Sequence, residues 1–395
     1  MNKKRIEQLL DIELNTNRNT PLGDFVESLV SKCIRQEEIS RGYALAASFD
    51  LLVGLFYYQK IVQQGWMQCP NGEPHYFFPY VNVCPRCALE GKFIYHKAGK
   101  GQSANIGAAT IEALILFVRE WFKQTGRDLT VIQGEEPVDL IIYDKKANTA
   151  FVAEVKSAPL FTLPLAVQSE IDGEPLTTHE EINLASFRGA KLGLLLPTIN
   201  GSSWDATMYY FSEIYDKSED YFITELTKLI LDESKDFLDN YLKTWVRAFD
   251  AYSDKKKNDN IFWLTGGCGK PSSKLWSHST SISDGKTSVG MDRTDDIKKG
   301  VYQLLKLRMI DAVKEGINIK VGILSNAHAA RHYESYIQPI QNVMWLISEQ
   351  ENVETTGDLP RDTAVHNLYD GIVTFTKSHT RDKWLQKIFN FDEKR

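Results

Sequence analysis

The stretch that most constrains this chain is a pair of apolar runs joined by a polar turn. Glu136-Pro137-Val138-Asp139-Leu140-Ile141-Ile142-Tyr143 is followed by Asp144 to Thr149 and then by Ala150-Phe151-Val152-Ala153-Glu154-Val155-Lys156. β-Branched and aromatic runs of this length read as strands, and the polar residues between them as a hairpin turn. If the turn centres between Lys146 and Ala147, Asp139 lies opposite Glu154, and cross-strand partners share a face. Lys156, two residues further along, joins that face. Ile141, Tyr143 and Val152 share it, whereas Val138, Leu140, Ile142, Ala153 and Val155 turn the other way, against the core. Charges set in an apolar strand face are costly unless they are paired or used.

Two carboxylates side by side repel, and each holds a proton unless a cation neutralises the pair. A divalent ion is the natural partner, and an oxygen-only ligand set suits Mg²⁺ or Mn²⁺ better than zinc. Such an ion polarises a phosphodiester and acidifies a bound water. Upstream, Ile106, Ala109, Ala113, Leu116, Phe117 and Trp121 follow a 3.6-residue period over Asn105–Gln124, and Gly126 ends that helix. Leu129-Thr130-Val131-Ile132 then begins a three-strand meander that the hairpin completes.

Pro137-x-Asp139, separated by fourteen residues from Glu154-Val155-Lys156, resembles the PD-(D/E)xK nuclease signature. The resemblance covers roughly Ile106 to Ser157 and extends to Asp295–Leu324, which is similar to the later helix and fourth strand, with Gln303 on that helix. It implies a restriction-endonuclease-like α/β (α+β) fold, a mixed central sheet flanked by helices. It also implies that Asp139 and Glu154 hold catalytic Mg²⁺ and that Lys156 orients or activates the water. A Glu on the first helix often adds a ligand in that family; Glu112 has a comparable place, and Glu120 is an alternative.

Five cysteines in 395 residues do not suggest a disulfide framework. Three of them, Cys69, Cys84 and Cys87, lie within nineteen residues, and Cys84-Pro85-Arg86-Cys87 has the spacing of a zinc knuckle. His75 is the expected fourth ligand of a structural zinc, with His96 as the alternative. Arg86, Lys92, Lys97 and Lys100 make this stretch locally basic, and Tyr76, Phe77, Phe78 and Tyr80 interleave aromatics, as a DNA-positioning surface would. Arg86, Lys97, Lys100, Lys286 and Arg293 are the candidate DNA contacts. His328 and His332 read as a solvated helix start, and Asp370 as structural.

The formal net charge of -6 excludes a polybasic coat but not a basic cleft. No signal-peptide core follows Met1, and the most apolar stretch, Tyr43–Tyr58, contains Asp50 and is too short to span a membrane. A cytoplasmic protein is expected. The reading divides the chain into a helical region at 1–66, a zinc-binding module at 67–104 and a nuclease core at 105–395 with a large insertion at about 160–290. The expected function is that of a type II restriction endonuclease: Mg²⁺-dependent hydrolysis of double-stranded DNA to 5′-phosphate ends. It implies a homodimer and a cognate DNA methyltransferase as genetic partner. Repair, junction-resolving or modification-dependent endonucleases of the same fold, and a non-catalytic zinc-containing DNA-binding protein, are the alternatives.

Overall fold

A computed structural model describes residues 21–61, 67–69, 72–77, 85–91, 103–136, 138–167, 170–171, 174–175, 191–200, 203–212, 220–254, 259–266, 289–292, 294–311, 317–346 and 365–391. The N-terminal helices are α1 (Pro21–Arg35) and α2 (Arg41–Phe56), the latter running into a π-turn at Tyr57–Ile61. Ser40 starts α2 by accepting a hydrogen bond from the Tyr43 N–H. The cysteine-rich stretch contributes β1 (Met67–Cys69), β2 (Gly72–Phe77) and the short helix α3 (Pro85–Leu89). Helix α4 (Ser103–Gln124) follows the predicted period, and Gly126 closes it with a φ of 63°, where a Cβ would be strained.

The expected meander is β3 (Thr130–Gln133), β4 (Leu140–Asp144) and β5 (Thr149–Val155). Its hairpin turn is held by Asp144, whose Oδ1 accepts from the Ala147 N–H at 2.9 Å, and by Asn148 at a φ of 48°. Next come β6 (Leu165–Val167), β7 (Glu170–Ile171), β8 (Glu174–Pro175), β9 (Leu192–Asn200) and β10 (Ser203–Tyr210). The helical pattern after Glu219 resolves into α5 (Tyr221–Leu231) and α6 (Phe237–Ser253). The break falls where Asp236 takes a φ of 49°. The chain continues through α7 (Thr294–Asp311), β11 (Asn318–Ser325), β12 (Met344–Leu346), β13 (Val365–Asn367), β14 (Gly371–Thr374), β15 (His379–Thr380) and α8 (Lys383–Ile388).

Six strands form a mixed central sheet in the order β15-β14-β11-β5-β4-β3. β3, β4 and β5 are antiparallel, whereas β11 runs parallel to both β5 and β14. A parallel pair needs a crossover, and here the chain from β5 to β11 includes α7. The sheet is buried on both faces. Leu140, Ile142, Phe151, Ala153 and Val155 join a large core with residues of α1, α2, α4 and α6. Ile141, Ala150, Val152, Val321 and Ile323 join a second core with Ile297, Leu304 and Leu307 of α7. The face carrying the hairpin's charges is therefore itself a core face. Val138 packs with this second core rather than with Leu140 and Ile142, because the chain bends at Asp139 before β4 begins, which breaks the two-residue alternation.

A second sheet, β1-β2-β6-β9-β10, is antiparallel throughout. β2 pairs with β6, so the hairpin of the cysteine-rich stretch is an edge of the same sheet as strands from the 160–290 region. Strand pairing thus joins the stretch expected as a zinc-binding module at 67–104 to the expected insertion at about 160–290. No helix among the described residues is long and apolar enough to cross a membrane.

Candidate active site

The observed register of β4 and β5 pairs Leu140 with Ala153, Ile141 with Val152 and Asp144 with Thr149. Continued by one residue, it sets Asp139 opposite Glu154, and the Asp139 N–H donates to the Ala153 carbonyl at 3.2 Å. The expected turn centre is the observed one. Asp139 turns one carboxylate oxygen onto the backbone, where Oδ2 accepts from the Val155 N–H at 2.8 Å. Glu154 is buried, and its Oε1 accepts from the Lys156 ammonium. Lys156 Nζ also lies 3.3 Å from the Val155 carbonyl. Lys156 leaves the sheet at a fixed angle because its N–H donates to the Leu324 carbonyl of β11 at 3.1 Å.

Burial raises the Glu154 carboxyl above the usual range; the Lys156 ammonium opposes that shift, and the neighbouring Asp139 carboxylate adds to it. One ammonium between two acids leaves the trio short of positive charge. Helix α7 lies directly over the site. A Cβ at Gly300 would come within 2.8 Å of Ile323 Cδ1 and 3.8 Å of Lys156 Cγ, so glycine lets the helix approach this closely. Gln303, almost one turn further along α7, buries an Oε1 that no described donor meets. Lys298 and Lys299 are exposed near the start of the same helix.

The two carboxylates and the neighbouring Val155 carbonyl are oxygen atoms of the kind Mg²⁺ takes, one or two carboxylates being commonly completed by water and phosphate oxygens, whereas the Lys156 ammonium is a donor only. A cage of three or more His, Cys, Asp or Glu side chains does not occur among the described residues.

Glu112 is exposed on α4, which packs on the large core, on the opposite face of the sheet from Glu154. Glu120 lies 3.4 Å from Lys123 and 2.8 Å from Gln124 of its own helix. Of the proposed zinc ligands, Cys87 is buried in α3, which is tied to the 3-10 turn at Asn260–Leu264 by a hydrogen bond from Asn260 Nδ2 to the Leu89 carbonyl at 2.9 Å. Cys69 lies on β1 and His75 on the antiparallel partner β2, where Gln68 pairs with His75. Cys84, His96, Lys97, Lys100, Lys286 and Arg293, and the side chains of Cys69 and His75, lie outside the described residues. Arg86 is half-exposed and ion-paired with Glu90 at 3.7 Å.

The solvated helix start holds in part: His332 precedes the π-turn Tyr333–Ile337 as its cap residue and is partly exposed, whereas His328 is drawn against the core. His328 packs against Phe249, and its Nδ1 lies 2.8 Å from Thr376 Oγ1; burial and the nearby Lys377 bring its pKa down to about 4. His332 Nδ1 lies 3.0 Å from Oδ1 of the buried Asp292. Asp370 is structural, since its Oδ2 accepts from the Val321 N–H at 2.8 Å.

The residues just past Lys156 are gripped by groups that the strand pattern does not single out. Asp50 on α2 is fully buried, and its Oδ2 accepts from the Leu160 N–H (2.8 Å), the Phe161 N–H (3.0 Å) and Trp245 Nε1 (2.6 Å). Its Oδ1 accepts from Asn326 Nδ2 at 3.2 Å. Burial still pushes the Asp50 carboxyl up to about 8, against the pull of those donors. The sequence does carry a trace of this: Asp50 is the one charged residue in the apolar run Tyr43–Tyr58.

No known protein family matches this chain, and neither a curated protein nor a solved structure matches it.

Proposed function

We propose that this chain is a Mg²⁺-dependent endodeoxyribonuclease of the PD-(D/E)xK kind, acting as a type II restriction endonuclease. The observation that carries the reading is the meeting of Asp139, Glu154 and Lys156 at one end of β5, under α7, with two carboxylates facing a single ammonium. The order helix, three-strand meander, helix and parallel strand, given by α4, β3–β5, α7 and β11, supports the same reading.

Asp139 and Glu154 would hold the divalent ion, which supplies charge neutralisation of the phosphodiester and a more acidic water when bound. Asp139 is pre-aimed by the Val155 N–H, so one of its oxygens is spoken for and the other is left for ligation. Lys156 exchanges its bond to Glu154 for the scissile phosphate or the attacking water, and its backbone anchor on Leu324 limits where the ammonium can reach. Water attack in line with the departing 3′ oxygen leaves a 5′-phosphate and a 3′-hydroxyl. Cutting both strands of a palindromic site calls for two such centres, hence a homodimer, and a cognate methyltransferase would protect the host DNA. Exposed Lys298 and Lys299 on α7 join Arg86, Lys97, Lys100, Lys286 and Arg293 as the cations that would meet phosphates.

A structural zinc held by Cys69, His75, Cys84 and Cys87, or with His96 in place of His75, belongs to the same proposal. Its support is the C-x-x-C spacing together with the β1–β2 hairpin, which brings Cys69 and His75 onto paired strands. Elemental analysis of the purified protein should find about one zinc per chain, and none would remove the zinc.

The deciding experiment incubates the protein with plasmid and phage DNA with and without Mg²⁺, then sequences the ends. Linear products at a fixed sequence support restriction. A preference for branched or methylated substrates moves the assignment to a resolving or modification-dependent enzyme. Binding without Mg²⁺-dependent cleavage makes it a DNA-binding protein, and cleavage retained by Asp139→Ala or Glu154→Ala sinks the assigned site.

A further inference from the structure

We infer that Asp50, on an N-terminal helix outside the nuclease-like elements, is a positioning residue for Lys156, acting through the side-chain amide of Asn326. The inference rests on the functional reading above and adds a part of the molecule that the resemblance does not cover.

The contacts leave the Asn326 amide one orientation. Its Nδ2 donates to Asp50 Oδ1 at 3.2 Å and to the Ala158 carbonyl at 2.9 Å. Its Oδ1 accepts from Ser157 Oγ at 2.7 Å, while its backbone N–H donates to the same Ser157 Oγ at 3.1 Å. The Ala158 carbonyl only accepts, so the NH₂ end of Asn326 must face it, and the Asp50 oxygen beside the same nitrogen accepts from it as well. The carbonyl end must then face Ser157, the residue directly after Lys156. Asn326 lies two residues past Leu324, whose carbonyl takes the Lys156 N–H. Lys156 and its two successors are therefore bonded to the end of β11 and the residue after it, and Asp50 holds that joint through the Asn326 amide, whose orientation the Ala158 carbonyl sets.

Asp50 also ties three regions to this joint. Leu160 and Phe161 belong to the chain leaving the site, Trp245 to α6 and Asp50 itself to α2. Gly290, close before α7, adds a fourth by donating its N–H to the Ala158 carbonyl at 2.8 Å. Residues shortly before the helix over the active site and the helix that carries Asp50 thus both bond to residues 158–161. A shift of the joint would move the Lys156 ammonium relative to Glu154, and small misplacements of a catalytic group are costly to the rate while leaving substrate binding intact.

The test exchanges the polarity of the joint without changing its size. Asp50→Asn sets two NH₂ groups against each other, and Asn326→Asp sets two carboxylates together. The double variant Asp50→Asn/Asn326→Asp restores one donor and one acceptor between the two side chains, but places a carboxylate oxygen against the Ala158 carbonyl. Each protein is assayed at a temperature well below its own melting point. Each single variant should lower kcat for Mg²⁺-dependent DNA cleavage about tenfold or more with KM within about twofold, and the double variant should recover part of that loss. Backbone hydrogen exchange over residues 155–160 is measured in parallel on the metal-free proteins. It should quicken in the singles and slow again in the double. Unchanged exchange in the singles overturns the relay whether or not the protein cleaves DNA. Quickened exchange with unchanged kcat overturns the positioning role. A wild-type protein that cleaves nothing sinks the nuclease reading, and the exchange data then decide the joint by themselves.

Discussion

Two buried carboxylates, Glu154 on β5 and Asp50 on α2, flank the chain that leaves β5 and have opposite surroundings. Asp50 meets four N–H donors, all from uncharged groups. Glu154 meets one ammonium and a second carboxylate. Burial raises both, yet the reasons for keeping them differ. A carboxylate closed in by donors has no capacity left for a ligand and serves to join segments. A carboxylate beside a like charge is relieved only by a cation or a proton, which is the condition for a metal-dependent centre.

The comparison breaks first at activity. Asp139→Ala or Glu154→Ala should lower Mg²⁺-dependent cleavage by about a thousandfold or more, with DNA binding unchanged in a gel-shift assay. Asp50→Ala should show the reverse emphasis, costing about 3–5 kcal/mol of unfolding free energy in urea because the buried donors lose their acceptor. Glu154→Gln, by contrast, should keep stability within about 1 kcal/mol, since it removes the repulsion from Asp139 along with the charge.

Acidity sharpens the contrast further. A carboxyl raised in the folded state binds its proton more tightly there than in the unfolded chain. Its contribution to stability is complete below the ordinary carboxylate range and is lost as pH rises toward the folded value. For Asp50 that window runs from the ordinary range up to about 8. The melting temperature of the metal-free protein should therefore fall across it, and the fall should flatten in Asp50→Asn. Mg²⁺ should restore more of the melting temperature at the alkaline end than at the acidic end, because Glu154 must lose its raised proton before it can ligate. An increment independent of pH would separate Glu154 from the metal. The smallest effect belongs to Glu112→Gln, which should change cleavage by no more than about twofold, as expected of an exposed residue on the helix behind the sheet.

The hairpin was legible because its information is local. Asp139, Glu154 and the turn at Asp144–Asn148 lie within sixteen residues, and two-residue alternation fixes their pairing once the turn is centred. α4 was legible for the same reason, through its period and the glycine that ends it. Val138 was misread because alternation holds only inside a strand, and the bend at Asp139 begins the strand two residues later than its apolar pattern does. The sheet that joins β2 to β6 was not legible, since its partners are nearly ninety residues apart and no turn sets their register. His328 was misjudged because a histidine's burial depends on elements remote in sequence, here Phe249 and Thr376.

By itself the sequence determined that Asp139, Glu154 and Lys156 would share one strand face, because covalent spacing and the pleat leave little choice. It also marked Asp50 as a charge in an apolar helix, without saying what would answer it. Only the tertiary structure decided that the acidic face is covered by α7, that Gly300 admits the helix over Lys156, and that Asp50 meets Asn326 across the chain. Those outcomes depend on packing between segments more than a hundred residues apart, where the cost of burying a charge is settled by whichever donors the fold brings to it.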